Sequence, residues 1–150
     1  MKTVHKSLAV RFRPEDMFAL VTGVEQYPLF LPWCDRARII ERRDGGMTAE
    51  IGMSMGPLRQ SFITSNTHEP GRRVQMRLLK GPFSRLDGDW HFHPMGGEGA
   101  ARSGCRVELR LHYGFSSGLL ATVVGPVFDR IAASMIDAFV QRAEQVYGGR

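Results

Sequence analysis

Cys105-Arg106-Val107-Glu108-Leu109-Arg110-Leu111-His112-Tyr113-Gly114-Phe115 alternates without a break. Cys105, Val107, Leu109, Leu111, Tyr113 and Phe115 give six consecutive apolar positions on one face, the period of a strand with one buried side. Directly beyond it the period changes from two to about 3.6. Leu120, Val124, Val127, Phe128, Ile131, Met135, Phe139, Ala143 and Val146 recur at helical steps, with Asp129, Arg130, Asp137, Gln141, Arg142 and Glu144 largely opposite. The pattern predicts one long amphipathic helix ending at Gly148-Gly149, with a kink or restart at Gly125-Pro126. A one-sided strand followed by a one-sided helix means that the helix covers the sheet.

Working back toward the N-terminus, the rest of that sheet is legible. Val4, Leu8, Val10 and Phe12 alternate with His5, Ser7 and Arg11, which predicts a half-buried first strand. Arg13-Pro14-Glu15-Asp16 opens a short helix, with proline in the first turn and acids behind it, and Gly23 ends it. Five further strands follow. Ala37 to Arg43 is the first, and Met47, Ala49, Ile51, Met53 and Met55 share a face of the second. Leu58, Gln60, Phe62 and Thr64 alternate in the third, and Val74, Met76 and Leu78 in the fourth. In the fifth, Leu86, Gly88, Trp90 and Phe92 face Asp87, Asp89, His91 and His93 across the strand. The turns Asp44-Gly45-Gly46, Gly56-Pro57, Glu69-Pro70-Gly71 and Lys80-Gly81-Pro82 are hairpin-length, so the strands run antiparallel. The loop Gly96-Gly97-Glu98-Gly99 leads to the last strand. A hairpin closing near Pro94 and Gly104 would set His91 near Arg106 and Asp87 near Arg110.

The fold expected is α+β: a curved antiparallel sheet of about seven strands wrapped around a long C-terminal helix, with two short helices after the first strand. With 150 residues, the expectation is one domain over residues 1–150. The two cysteines, Cys34 and Cys105, lie far apart without a CxxC, which suits a reducing compartment. No secretory signal opens the chain, and no uninterrupted apolar run reaches the ~18 residues of a membrane span. The expectation is a cytoplasmic protein, at most peripheral to the inner membrane. Of the 20 basic residues 17 are arginine, and the net charge is +5. Such a balance permits contact with RNA or anionic lipid heads. The arginines are spread along the chain, and Arg72, Arg73 and Arg77 are the candidate RNA surface.

The run Tyr27-Pro28-Leu29-Phe30-Leu31-Pro32-Trp33-Cys34 is apolar and cut twice by proline. It can be neither a long helix nor a central strand. It is read as a bent plug that closes a core or walls an apolar cavity. A twisted sheet curls, and a straight helix laid across it leaves space. The candidate lining is Tyr27, Phe30, Leu31, Trp33, Met53, Met55, Gln60, Phe62, Met76, Leu78, Trp90, Phe92, Leu109, Tyr113, Phe128 and Met135. The methionines suit an adaptable volume, and Gln60, Thr64 and Tyr113 are the polar exceptions that could orient a carbonyl oxygen. No P-loop, GxSxG or HExxH occurs. His91 and His93 lie on the polar face of their strand, without a third ligand, and Cys34 has no evident base. No catalytic residue, no metal and no required cofactor are expected.

These features together resemble the START-like (helix-grip, polyketide-cyclase-like) superfamily, and within it the coenzyme Q-binding and ribosome-association-toxin (RatA-like) family. The resemblance rests on the Tyr27–Cys34 run, on Gly81-Pro82-Phe83 with Leu86-Asp87-Gly88-Asp89-Trp90-His91-Phe92, and on Phe128-Asp129-Arg130-Ile131 with Ala138-Phe139-Val140-Gln141-Arg142-Ala143. It implies a non-enzymatic chaperone role for a polyprenyl quinone such as ubiquinone, or a related isoprenoid lipid, held between sheet and helix. The alternative it implies is binding to the large ribosomal subunit that blocks subunit joining. A cyclase or hydrolase of the same superfamily is the distant alternative. A transient membrane contact fits the first role, DNA fits none, and the lack of a mitochondrial leader points to a bacterial member.

Overall fold

The computed structural model describes residues 2–55, 58–95 and 104–148. The strands are β1 (Lys2–Val10), β2 (Cys34–Arg43), β3 (Gly46–Met55), β4 (Leu58–Glu69), β5 (Arg73–Lys80), β6 (Phe83–Met95) and β7 (Gly104–Phe115). Helix α1 (Pro14–Thr22) and a 3₁₀ turn (Val24–Leu29) lie between β1 and β2, and α2 (Gly118–Tyr147) follows β7. The strands form one seven-stranded antiparallel sheet in the order β1-β7-β6-β5-β4-β3-β2. The chain therefore starts at one edge, crosses to the other through α1 and the 3₁₀ turn, and then meanders back. Register shifts at Cys34/Arg36, Ile39/Glu41, Ile63/Thr64 and Phe83/Arg85 mark bulges. Bulges increase local twist, which curls the sheet toward α2.

Helix α2 runs continuously through Pro126, which is exposed. The expected kink or restart does not interrupt it, because the ring occupies the side away from the sheet. Ser117 caps the first turn by accepting from Leu120 N at 3.1 Å. Val124, Phe128, Ile131, Ala132, Ile136, Phe139 and Ala143 are the buried stripe. By length and composition α2 could cross a membrane, with a mean hydropathy of 1.5 over its best window. That stripe instead packs on the sheet, and Asp129 and Arg130 interrupt the apolar run.

Two expectations change. β1 is an edge strand more exposed than its alternation suggested, with Leu8 40% exposed. Its inward Lys2 and Lys6 reach over the sheet edge to α2, at Asp129 and at the Ala133 carbonyl (2.7 Å). The β6–β7 hairpin also closes two residues further out than predicted. Pro94 is opposite Cys105, so His91 faces Glu108 and Asp87 faces His112. Pro94 is tolerated because β5 pairs with β6 only as far as His91, leaving that side of the strand without a partner needing its N–H. The turn Gly56-Pro57 and the loop Gly96–Gly99 lie outside the described residues.

Candidate functional site

A cavity of about 80 Å³ lies between the inner face of the sheet and α2. Its floor is a row of cross-strand neighbours: Asn66 opposite Met76, Met76 opposite Gly88, Gly88 opposite Leu111. Gly88 is what keeps that floor low. A Cβ there would overlap Met76 Cε and touch Leu111 Cδ1 at 3.5 Å. Ala49, Ile51, Phe62 and Thr64 form one flank, and Leu86, Trp90 and Leu109 the other. Phe128, Ile131, Met135 and Phe139 of α2 make the roof, and Val24, Tyr27, Leu31 and Trp33 close the remaining side.

The proline-broken run therefore does wall a cavity. Within it the backbone folds on itself, with Leu31 N donating to Tyr27 O at 2.9 Å and Cys34 N to Leu31 O at 3.0 Å. The Tyr27 hydroxyl donates to the Val21 carbonyl, and burial pushes its pKa up, so the phenol stays protonated. Phe139 anchors this end through edge-on contacts with Tyr27 (5.5 Å), Phe30 (5.1 Å) and Trp90 (5.1 Å). At the other end Phe128 packs on Tyr113 (4.7 Å) and Phe83 (5.2 Å).

Of the residues expected to line the cavity, Tyr27, Leu31, Trp33, Phe62, Met76, Trp90, Leu109, Phe128 and Met135 do so. The others need correction. Phe30 lies on the outer side of Phe139, lining a surface groove with Pro28, Pro32 and Arg142. Met53, opposite Gln60, is packed in the core beyond the cavity, where Leu78 also packs. Phe92 faces inward but is covered by Phe18 of α1, 6.1 Å between ring centres. Tyr113 spends its hydroxyl on Asp129 Oδ1 at 2.6 Å. Strand alternation fixes the face of a residue but not its depth along the strand, and the cavity occupies only the middle rows. Met55 lies at the edge of the described residues, and its side chain is outside them.

The reading of β4 stopped at Thr64, whereas the strand continues to Glu69 and places Asn66 in the cavity. Continuing the period of two would have found it. Thr64 and Asn66 are only 4% and 5% exposed, and the Thr64 hydroxyl donates to Asn66 Oδ1 at 2.8 Å. They are the polar pair in an otherwise apolar and aromatic wall. Among the described residues no carboxylate, imidazole, amine or guanidinium lines the cavity. The thiols are equally quiet: burial raises Cys34 to about 11 and Cys105 to about 12. Cys34 Sγ donates to the Arg36 carbonyl at 3.3 Å.

The outer face of the same strands is ionic. Arg73 forks onto Asp89 at 2.9 and 2.6 Å, with Glu69 at 3.7 Å, so it is engaged within the protein rather than free for phosphate. Arg72 and Arg77 are exposed. Glu108 is held between His5 (2.5 Å) and His93 (2.9 Å), which lowers its pKa to about 2. His91 stacks on His93 at 5.6 Å and meets Asp89 at 3.2 Å. Among the described residues no group of three or more histidine, cysteine or acidic side chains is placed to hold a metal ion.

Comparison with known proteins agrees with this architecture. Residues 10–140 match the family model "Polyketide cyclase / dehydrase and lipid transport". The ribosome association toxin RatA of Vibrio cholerae is 39% identical over 148 residues, covering 99% of each chain. RatA of Escherichia coli is 36% identical over 150 residues, covering all of this chain and 92% of the relative. The mitochondrial coenzyme Q-binding protein COQ10 homolog B of Xenopus laevis is 26% identical over 144 residues, covering 95% of this chain and 58% of that protein. Among solved structures, an 18 kDa protein from Caulobacter crescentus is 31% identical with a TM-score of 0.74, covering 99% of both chains. The Zhui aromatase/cyclase of a Streptomyces species shares the fold at 14% identity, with a TM-score of 0.78 over 96% of this chain and 94% of that one. With a sheet gripping a long C-terminal helix, and a family match across most of its length, the chain belongs to the polyketide cyclase/dehydrase and lipid transport family, in company with the RatA proteins.

Proposed function

We propose that the protein binds a hydrophobic molecule in the cavity between sheet and α2 without transforming it, and that a polyprenyl quinone or related isoprenoid is the first candidate. One observation carries this reading: a space between sheet and helix walled by apolar and aromatic side chains, with Thr64 and Asn66 as its non-aromatic polar pair and no charged side chain among the described residues that line it. The coenzyme Q-binding name of one relative supports the choice of ligand. At about 80 Å³ the space is roughly half the ~150 Å³ that holds benzene in an engineered apolar cavity. Uptake therefore requires expansion, and Met76 and Met135, unbranched and partly exposed to the space, are the side chains that rotate to give it. Each methylene buried contributes roughly 0.8 kcal/mol, so a few isoprene units suffice for micromolar binding. Leu119 and Val123, one turn apart at the start of α2 and 74% and 59% exposed, support a transient contact of this cytoplasmic protein with a membrane that supplies the lipid. The test is organic extraction and mass spectrometry of protein purified from its host. Near-stoichiometric polyprenyl quinone is the expected result; protein that is empty in every preparation sinks the quinone reading.

A second reading is favoured by the 39% identity to a ribosome association toxin along the whole chain. In it, exposed arginines, Arg72 and Arg77 among them, meet ribosomal RNA of the large subunit. Such binding weakens steeply with salt. Co-sedimentation with the large subunit that is absent at low salt rejects it. Cavity and surface are separate regions, so both activities can reside in one chain.

A further inference from the structure

The polar pair on the cavity floor has a consequence for which molecule enters. Asn66 is 5% exposed and faces the cavity from the middle of the sheet. Its carbonyl oxygen is taken by the Thr64 hydroxyl at 2.8 Å. Its side-chain nitrogen has no hydrogen-bond partner among the described residues, although it can donate twice. The neighbours across the row, Met47 and Met76, offer no oxygen. An amide N–H that lines an apolar cavity gains a hydrogen bond when an occupant offers an acceptor there. The Thr64 hydrogen bond fixes the rotation of the amide and occupies its oxygen rather than its N–H groups. Gly88 accommodates the Met76 methyl, the flexible side chain that lies between Gly88 and Asn66 on the cavity floor.

We propose that Asn66, oriented by Thr64, is the selectivity element of the cavity. It admits neutral apolar molecules carrying a hydrogen-bond-accepting oxygen, ketone or quinone carbonyls above all, in preference to pure hydrocarbons. A carboxylate is rejected, because no cation lines the cavity to compensate its charge. This rests on the reading of the cavity as a ligand site, and it narrows the ligand class.

The test uses two small probes of similar size, acetophenone and isopropylbenzene, in which a carbonyl oxygen stands where the other has a methyl group, with benzoate as the anionic control. Trp33 and Trp90, the two tryptophans of the chain, both line the cavity and report binding through their indole NMR signals. The expected result is that acetophenone binds about fivefold tighter than isopropylbenzene, the size of one hydrogen bond gained. It also shifts the Asn66 amide signals, and benzoate does not bind. In Asn66→Leu the preference disappears while isopropylbenzene binding persists. Because that change strands the Thr64 hydroxyl, the double variant Thr64→Val with Asn66→Leu, apolar at both positions, is the second measurement. Equal affinity of the two probes for the wild-type protein overturns the selectivity proposal and leaves the ligand site intact. Failure of both neutral probes to bind overturns the ligand site, and the selectivity with it.

Discussion

The two faces of strand β6 solve opposite problems. Asp87, Asp89, His91 and His93 point out and meet ionic partners: Arg85 of the same strand with Asp87, Arg73 of β5 with Asp89, Glu108 of β7 with His93. Leu86, Gly88, Trp90 and Phe92 point in, and three of them fill space while Gly88 makes room for the Met76 methyl. The outer face spends its polar groups on itself and lies in solvent, where each ion pair is worth little. On the same inner face of the sheet, two strands away on β4, Asn66 keeps its amide donor in an apolar surrounding, where a single hydrogen bond counts for more. Stability is thus concentrated in the inner aromatics, whereas the proposed ligand choice rests on one amide on the same inner face.

That division can be broken, from the largest effect to the smallest. Trp90→Ala removes a ring that is 3% exposed and packed on Phe139, and it should cost about 3–5 kcal/mol in urea unfolding. A loss below about 1 kcal/mol would mean that the inner face does not hold the fold. Met76→Trp fills the cavity and should abolish lipid uptake while the far-ultraviolet circular dichroism stays native; undiminished uptake would move the ligand elsewhere. Asp89→Asn leaves the partly exposed Arg73 fork with a neutral partner and should cost no more than about 1 kcal/mol. Arg72→Glu with Arg77→Glu should leave the melting temperature nearly unchanged and flatten the salt dependence of any large-subunit co-sedimentation. An unaltered salt slope would clear this surface of the role.

The smallest effect concerns pH. Glu108 lies against His5, His93, His91, Arg106 and Arg110, and the first two hold its pKa at about 2, below the ordinary 4.5. A carboxylate with a depressed folded-state pKa stabilises fully above its unfolded value, and that contribution is lost as pH falls from about 4.5 toward 2. Glu108→Gln should flatten the fall in stability over that window. An acid limb identical in the two proteins would show that the outer ionic lattice does not contribute.

The sequence made some of this legible and hid the rest for physical reasons. The period-two runs give the inner face residue by residue, and the switch to helical period after Phe115 gives the covering helix. Depth was not legible, since Met53, Phe62 and Asn66 carry the same alternation signal whether or not the cavity reaches them. Nor was the hairpin offset of two, because proline reads as a strand end only when both edges of the strand are paired. Asn66 escaped because a polar residue at an inward position looks like the end of a strand, although this strand continues to Glu69.

The pairing of β1 with β7 sets a schedule for synthesis. Lys2–Val10 has its partner in Cys105–Tyr113, so the first strand made waits for the last. At about 5–20 residues per second, roughly a hundred intervening residues take about 5–20 s. Through that interval the opening strand is a lone ribbon at the ribosome. Lys2 and Lys6 give it the charge that discourages pairing with a stranger, so the lysines that later clasp α2 first serve as a guard during translation.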